Sequence, residues 1–180
     1  MKVNTCFTPT EACTLIAHQA VSTLDAVQTE IPPCMKELRT AVEAMAAVHD
    51  LGKDGETLLD WLDTEIANAE LYAAEGVNRP YLIDMEFLTV EPDAVAQMDL
   101  VWLMFETAAM EQCELEQRQA LLSTARTITE MCGLDDLLLA TLRSNGAELA
   151  EGLSNELDDI RVGLQANAEN CADRAQQEMR

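Results

Sequence analysis

Positive charge is scarce in this chain. Eleven Lys and Arg stand against 33 Asp and Glu, for a formal net charge of −22. A protein that binds free nucleic acid carries a basic footprint, and this one has none. An anionic membrane surface repels such a chain. Aromatic residues make up only 4% of it. They are scarce, as are β-branched residues, while Ala, Leu, Glu, Met and Gln are plentiful, which favours helix over strand. Strict apolar/polar alternation never runs beyond about four residues. No apolar run approaches the ~18 residues of a membrane span. The N-terminus carries one Lys, Lys2, and no apolar core of signal-peptide type. The expectation is a cytoplasmic protein with reduced thiols.

Chemistry-bearing patterns are equally thin. The six cysteines, Cys6, Cys13, Cys34, Cys113, Cys132 and Cys171, include no C-x-x-C pair. Spread thiols of this kind serve most simply as small buried hydrophobes, and Cys6, Cys13 and Cys34 lack zinc-site spacing. Only two histidines occur, His18 and His49. His49-Asp50 resembles a metal-binding pair, but the further histidines that such a centre needs are missing. His18 falls near the Leu15/Ile16 face, and His49 near a helix end that favours positive charge.

Carboxylate pairs recur at Glu111/Glu114, Glu148/Glu151 and Glu156/Asp159. The last two pairs share one predicted helix and cannot face each other. Asp135-Asp136 and Asp158-Asp159 lack a third acid. A di-iron bundle needs Glu-x-x-His pairs, and there are none. No glycine-rich phosphate loop or serine elbow is found. The expectation is no catalytic residue, no cofactor and no metal site.

What is present is helical periodicity. At 180 residues the chain suits a single domain that buries roughly 70% of its unfolded surface. The predicted architecture is all-α: a single-domain helical bundle of about five to seven helices with a long C-terminal helix. Residues 8–76 read as a three-helix part. Thr8, Pro9 and Glu11 form a capping signature for helix one. Leu15, Ile16, Ala20, Leu24, Val27 and Ile31 carry its apolar stripe, and Pro32-Pro33 stop it. Helix two spans about Pro33 to His49, and the stretch DLGKDG breaks it. Helix three follows from Glu56, with Leu58, Leu59, Leu62, Ile66, Ala69 and Ala73 inward and Gly76 as its stop.

Residues 77–91 are an irregular connection with one short helix near Asp84 to Leu88. Central apolar helices occupy 92–142. Pro92 to Cys132 contains no interior Gly or Pro; as one helix it measures about 60 Å, and a break near CELEQRQ is preferred. Gly133 ends the segment, and a short helix runs from Leu134 to Leu142. Ser144-Asn145-Gly146 is read as a turn, with Asn145 and Glu148 as a capping pair. The last helix fills 145–180, with a fraying tail.

Inside the central helices Val101, Trp102, Leu103, Met104 and Phe105 are consecutive. On a helix they cover every side, so the segment must be surrounded. A central bundle position meets that need. The other expectation is a subunit or partner interface carried by Trp102 and Phe105, in a homo-oligomer.

Charge is also unevenly spread. Residues 53–117 hold 16 acids against Lys53 and Arg79, a net −14. Glu56, Asp60, Asp63 and Glu70 share one face of helix three. Carboxylates three or four residues apart on a helix are spaced by about 5–6 Å, close to the interval of phosphates along a nucleic-acid strand. The functional expectation is therefore a non-enzymatic protein that binds a basic protein partner, with no direct nucleic acid and no membrane. It would act as an inhibitor of the anti-defence type, blocking a nucleic-acid-binding surface by mimicry. A helical adaptor or export chaperone with an apolar groove, and a carboxylate-metal all-α hydrolase, are the alternatives.

Overall fold

The computed structural model describes residues 7–25, 34–75, 94–149, 152–153 and 155–166. It is an all-α helical bundle, with no strand among the described residues. Helix α1, Pro9–Asp25, opens with the reciprocal cap expected of it. The Thr8 N–H donates to Glu11 Oε2 at 2.8 Å, and the Glu11 N–H donates to Thr8 Oγ1 at 3.3 Å. Two amides that a helix start leaves unpaired are thereby satisfied.

Helix α2, Cys34–Val48, stops in a Schellman turn. The Leu51 N–H reaches Ala46 O at 3.0 Å, and the Asp50 N–H reaches Ala47 O at 3.3 Å. The left-handed position is held by Asp50, at φ 50°, where glycine is usual. Gly52, at φ 53°, then starts α3, Gly52–Glu75. The expected six-residue break is therefore narrower, covering only His49 to Leu51. Gly55 lies inside α3 rather than in a loop. A Cβ there would stand 2.8 Å from Ala46 Cβ, so the bare backbone lets α2 and α3 touch.

The long apolar segment is two helices, α4 (Ala94–Ala109) and α5 (Leu115–Met131). The break falls at Met110 to Glu114, at the edge of the stretch expected to carry it. Gln117 Oε1 accepts from the Glu114 N–H at 3.0 Å and so fixes the start of α5. Arg118 Nε donates to Ala108 O at 3.0 Å and satisfies an end carbonyl of α4. Gly133, at φ 64°, closes α5 with a second Schellman turn: the Leu134 N–H bonds Thr129 O at 2.9 Å.

Helix α6 is Asp135–Asn145, and a 3-10 turn, Gly146–Glu148, continues it. The Asn145–Glu148 capping pair is not formed, since Asn145 makes no side-chain cap. The turn keeps its own backbone bonds, and Arg161 Nη2 caps α6 instead by donating to Leu142 O at 3.0 Å. The chain is helical again over 155–166, here α7. The expected α1 extension to Ile31, the 77–91 connection, Ala150 and the tail beyond 166 lie outside the described residues.

Helices α1, α2 and α3 pack on one another, α2 lies along α5, and α5 lies along α4. The buried side chains join into one cluster. Its centre is the apolar belt, in which six consecutive side chains, Leu100 to Phe105, are buried. Trp102 is 1% exposed and Phe105 0% exposed, with ring centroids 6.5 Å apart. The interface role expected for these two is thus corrected. Both rings are spent inside this chain, because α5 covers one side of α4 while α1 and α2 touch it elsewhere. No helix among the described residues is long and apolar enough to cross a membrane.

Candidate functional site

Helix α3 presents Glu56, Asp60, Asp63 and Glu70 to solvent along one face. Its opposite face supplies buried Leu62 and half-buried Leu58, Leu59 and Ile66. The four acids are not equivalent, however. Arg39 of α2 grips Asp63 with both prongs: Nε to Oδ1 at 2.7 Å and Nη2 to Oδ2 at 2.9 Å. Its third nitrogen, Nη1, meets Glu43 Oε2 at 2.6 Å. These bonds hold the Asp63 carboxyl below the usual range and push the Arg39 guanidinium up. Glu56, Asp60 and Glu70 form no ion pair among the described residues.

The stripe is therefore interrupted. Asp63 is neutralised, and Ala67 stands where the repeat would place the next acid. Glu56 and Asp60 sit one turn apart, about 6 Å, and Glu70 follows about 15 Å further on. A phosphate-by-phosphate register does not survive this spacing, but a patch of uncompensated negative charge does.

Where the other positive charges go explains the patch. Arg126 pairs with Glu130 at 2.7 Å and Asp135 at 3.4 Å. Arg161 pairs with Asp158 at 3.4 Å as well as capping α6. Arg118 caps α4 and approaches Glu156 at 4.0 Å. Arg39, Arg118, Arg126 and Arg161 act as clips, Arg143 alone of the described arginines stands exposed and unpaired, and α3 is left with Lys53 alone among its own residues.

The remaining candidates are structural. The Cys13 thiol is fully buried, and burial pushes it up to about 12. Cys113 and Cys132 are pushed up by burial too. None of the three is primed as a thiolate. The side chains of His18, Cys6, Cys34 and Cys171 lie outside the described residues. His49 Nε2 meets Thr107 Oγ1 at 2.8 Å, and that hydroxyl also contacts Leu103 O at 2.8 Å. The single hydroxyl proton goes to the carbonyl, so His49 donates from Nε2. Burial lowers the His49 pKa. The helix end therefore does not favour a cation here: desolvation lowers the pKa, and the imidazole ties the end of α2 to α4. The carboxylate pairs gather no group of three or more metal-binding side chains among the described residues.

Sequence reading missed Glu106, which directly follows the apolar belt. It accepts from Trp102 Nε1 at 3.1 Å, and desolvation, with Glu148 adding repulsion, raises its pKa. The ionised form thus weighs on the fold at neutral pH. That penalty fades as pH falls through the raised value, and it is gone below the ordinary value of 4.5. Glu106→Gln keeps an acceptor for Trp102 and removes the charge. Its expected effect is a Tm gain of about 1–2 °C at pH 7, shrinking to nothing below the ordinary carboxyl range. Calorimetry at both pH values checks it.

Against protein-family models, curated proteins and solved structures, the chain finds no match.

Proposed function

We propose that this protein is a non-enzymatic acidic binding protein that inhibits a partner by covering a basic, nucleic-acid-binding surface. One observation supports the reading above others. The arginines of α2, α5 and α7 turn to acids and helix ends of their own chain, while Glu56, Asp60 and Glu70 on α3 stay uncompensated. A chain of net charge −22 that spends four of its arginines on its own acids and helix ends, and leaves only Lys36, Lys53 and Arg143 exposed and unpaired among the described residues, offers a predominantly negative field to whatever approaches. Such a field speeds the arrival of a basic protein and selects against acidic ones. Occupation of the basic groove by this field, rather than a matched series of phosphate positions, is the mechanism that fits the broken stripe.

The test is capture from host lysate by the wild-type protein and by the triple variant E56K/D60K/E70K, followed by titration of the captured partner. All three positions are exposed, so far-UV circular dichroism of the variant stays unchanged. Partner affinity is expected to fall by roughly 10–10³-fold at low salt, and wild-type binding to weaken steeply as salt rises. A variant that binds as well as the wild type, or wild-type binding indifferent to salt, overturns the proposal.

A further inference from the structure

On a different side of α3 from the acid patch, a cleft of about 350 Å³ opens between α1 and α3. That volume lies within the roughly 300–1,000 Å³ of small-molecule sites. We propose that the cleft binds a small organic cation: a primary ammonium carried on an aromatic or branched alkyl body.

The walls argue for the apolar body. Cys13 comes from α1, Leu51 from the turn before α3, and Leu58 and Trp61 from α3 itself. Threonines also line the cleft, but two of them point their hydroxyl protons elsewhere. Thr14 Oγ1 donates to Thr10 O at 2.9 Å, and Thr57 Oγ1 donates to Lys53 O at 2.9 Å. These two hydroxyls offer no donor to an anionic or carbonyl-rich ligand, which leaves the exposed Thr10 hydroxyl as the single threonine donor of the described lining. The thiol of Cys13 is buried and protonated, so the cleft can hold a molecule but does not attack it.

The charge argues for the ammonium. Asp54 is the one charged residue in the lining, and it is exposed and forms no ion pair among the described residues. An anion would meet that carboxylate and the field of a chain at −22. A neutral apolar molecule fits the walls yet leaves Asp54 unused. An ammonium gains a charge-assisted hydrogen bond from it, and an indole in the wall is a favourable neighbour for a cation.

Three probes with one body separate the cases: 3-phenylpropylammonium, 3-phenylpropan-1-ol and 3-phenylpropanoate. The chain has two tryptophans, so a ¹H–¹⁵N spectrum shows two indole N–H signals, assigned with Trp61→Phe. The Trp61 signal is expected to shift saturably with the ammonium, while that of Trp102, buried against Glu106, holds still. The ammonium should bind roughly tenfold tighter than the alcohol, and the carboxylate should not saturate. Asp54→Asn, at an exposed position, should bring the ammonium down to the alcohol. Four results overturn the proposal: no saturable shift with any probe, equal affinity for ammonium and alcohol, binding of the carboxylate as tight as the ammonium, or an ammonium advantage that persists in Asp54→Asn. None of these results bears on the acid patch, whose three residues line no part of the cleft.

Discussion

Phe105→Ala should cost about 3–5 kcal/mol of stability, the range for truncating a fully buried aromatic ring. For a domain of this size that is a fall in Tm of roughly 10 °C or more. The side chain is 0% exposed on the belt, and the Trp102 ring beside it is 1% exposed. Truncation loses the transfer energy of the ring and leaves a cavity that rigid neighbours fill only in part. Urea unfolding is the measurement: the midpoint drops while the slope stays constant. A subunit-interface role predicts something else, a stability loss that depends on protein concentration. The buried position predicts the same loss at every concentration. Leu115→Ala is the companion. Leu115 is apolar too, yet it is 65% exposed, so its truncation should stay within about 0.5 kcal/mol. A Phe105→Ala loss below about 1 kcal/mol would mean that the belt is not the centre of the core.

The belt was legible because an all-round apolar helix has one physical remedy, burial on every side. Local capping chemistry was legible as well. Thr8, Pro9 and Glu11 act within three residues of each other, and Gly133 supplies a left-handed stop that its own backbone requires. What failed to show was anything set by a distant partner. Gly55 reads as a helix breaker, yet its role is to admit Ala46 of another helix. Asp63 reads as one acid in a stripe, yet Arg39, 24 positions earlier, cancels it. His49 reads as a helix-end cation, yet burial lowers its pKa and its ring hydrogen-bonds Thr107, 58 positions later. That the four acids stand exposed on one face of α3 was therefore legible, but their charge pattern was not. The α1–α3 cleft had no local signal at all, because Cys13 of α1 meets Leu58 and Trp61 of α3 only through packing.

Two glycines near the C-terminal end carry the opposite lesson, that one substitution can change sign within a dozen residues. Gly152 lies against the end of α4. A Cβ added there would stand 2.6 Å from Ala109 O, 3.1 Å from Ala109 Cα and 3.2 Å from Ala109 C. All three are backbone atoms, which cannot swing aside as a side chain tip can. Accommodation requires the backbone at Gly152 to lift from the end of α4, disturbing Leu153 and Leu157, fully or nearly fully buried further along the chain. Gly152→Ala is expected to destabilise by about 1–3 kcal/mol, the usual cost of overpacking. Gly163 sits inside α7, exposed, with nothing within 4 Å of its added Cβ. There the methyl meets only water, and the gain is the lower backbone entropy of the unfolded chain. Gly163→Ala should stabilise by roughly 0.5–1 kcal/mol. Parallel urea titrations of the two variants give the comparison. Opposite shifts in midpoint mean that Gly152 is seated against the end of α4 while Gly163 of α7 faces solvent. Two stabilising shifts would mean that this contact is open in solution, and the seating of Gly152 on α4 would have to be abandoned.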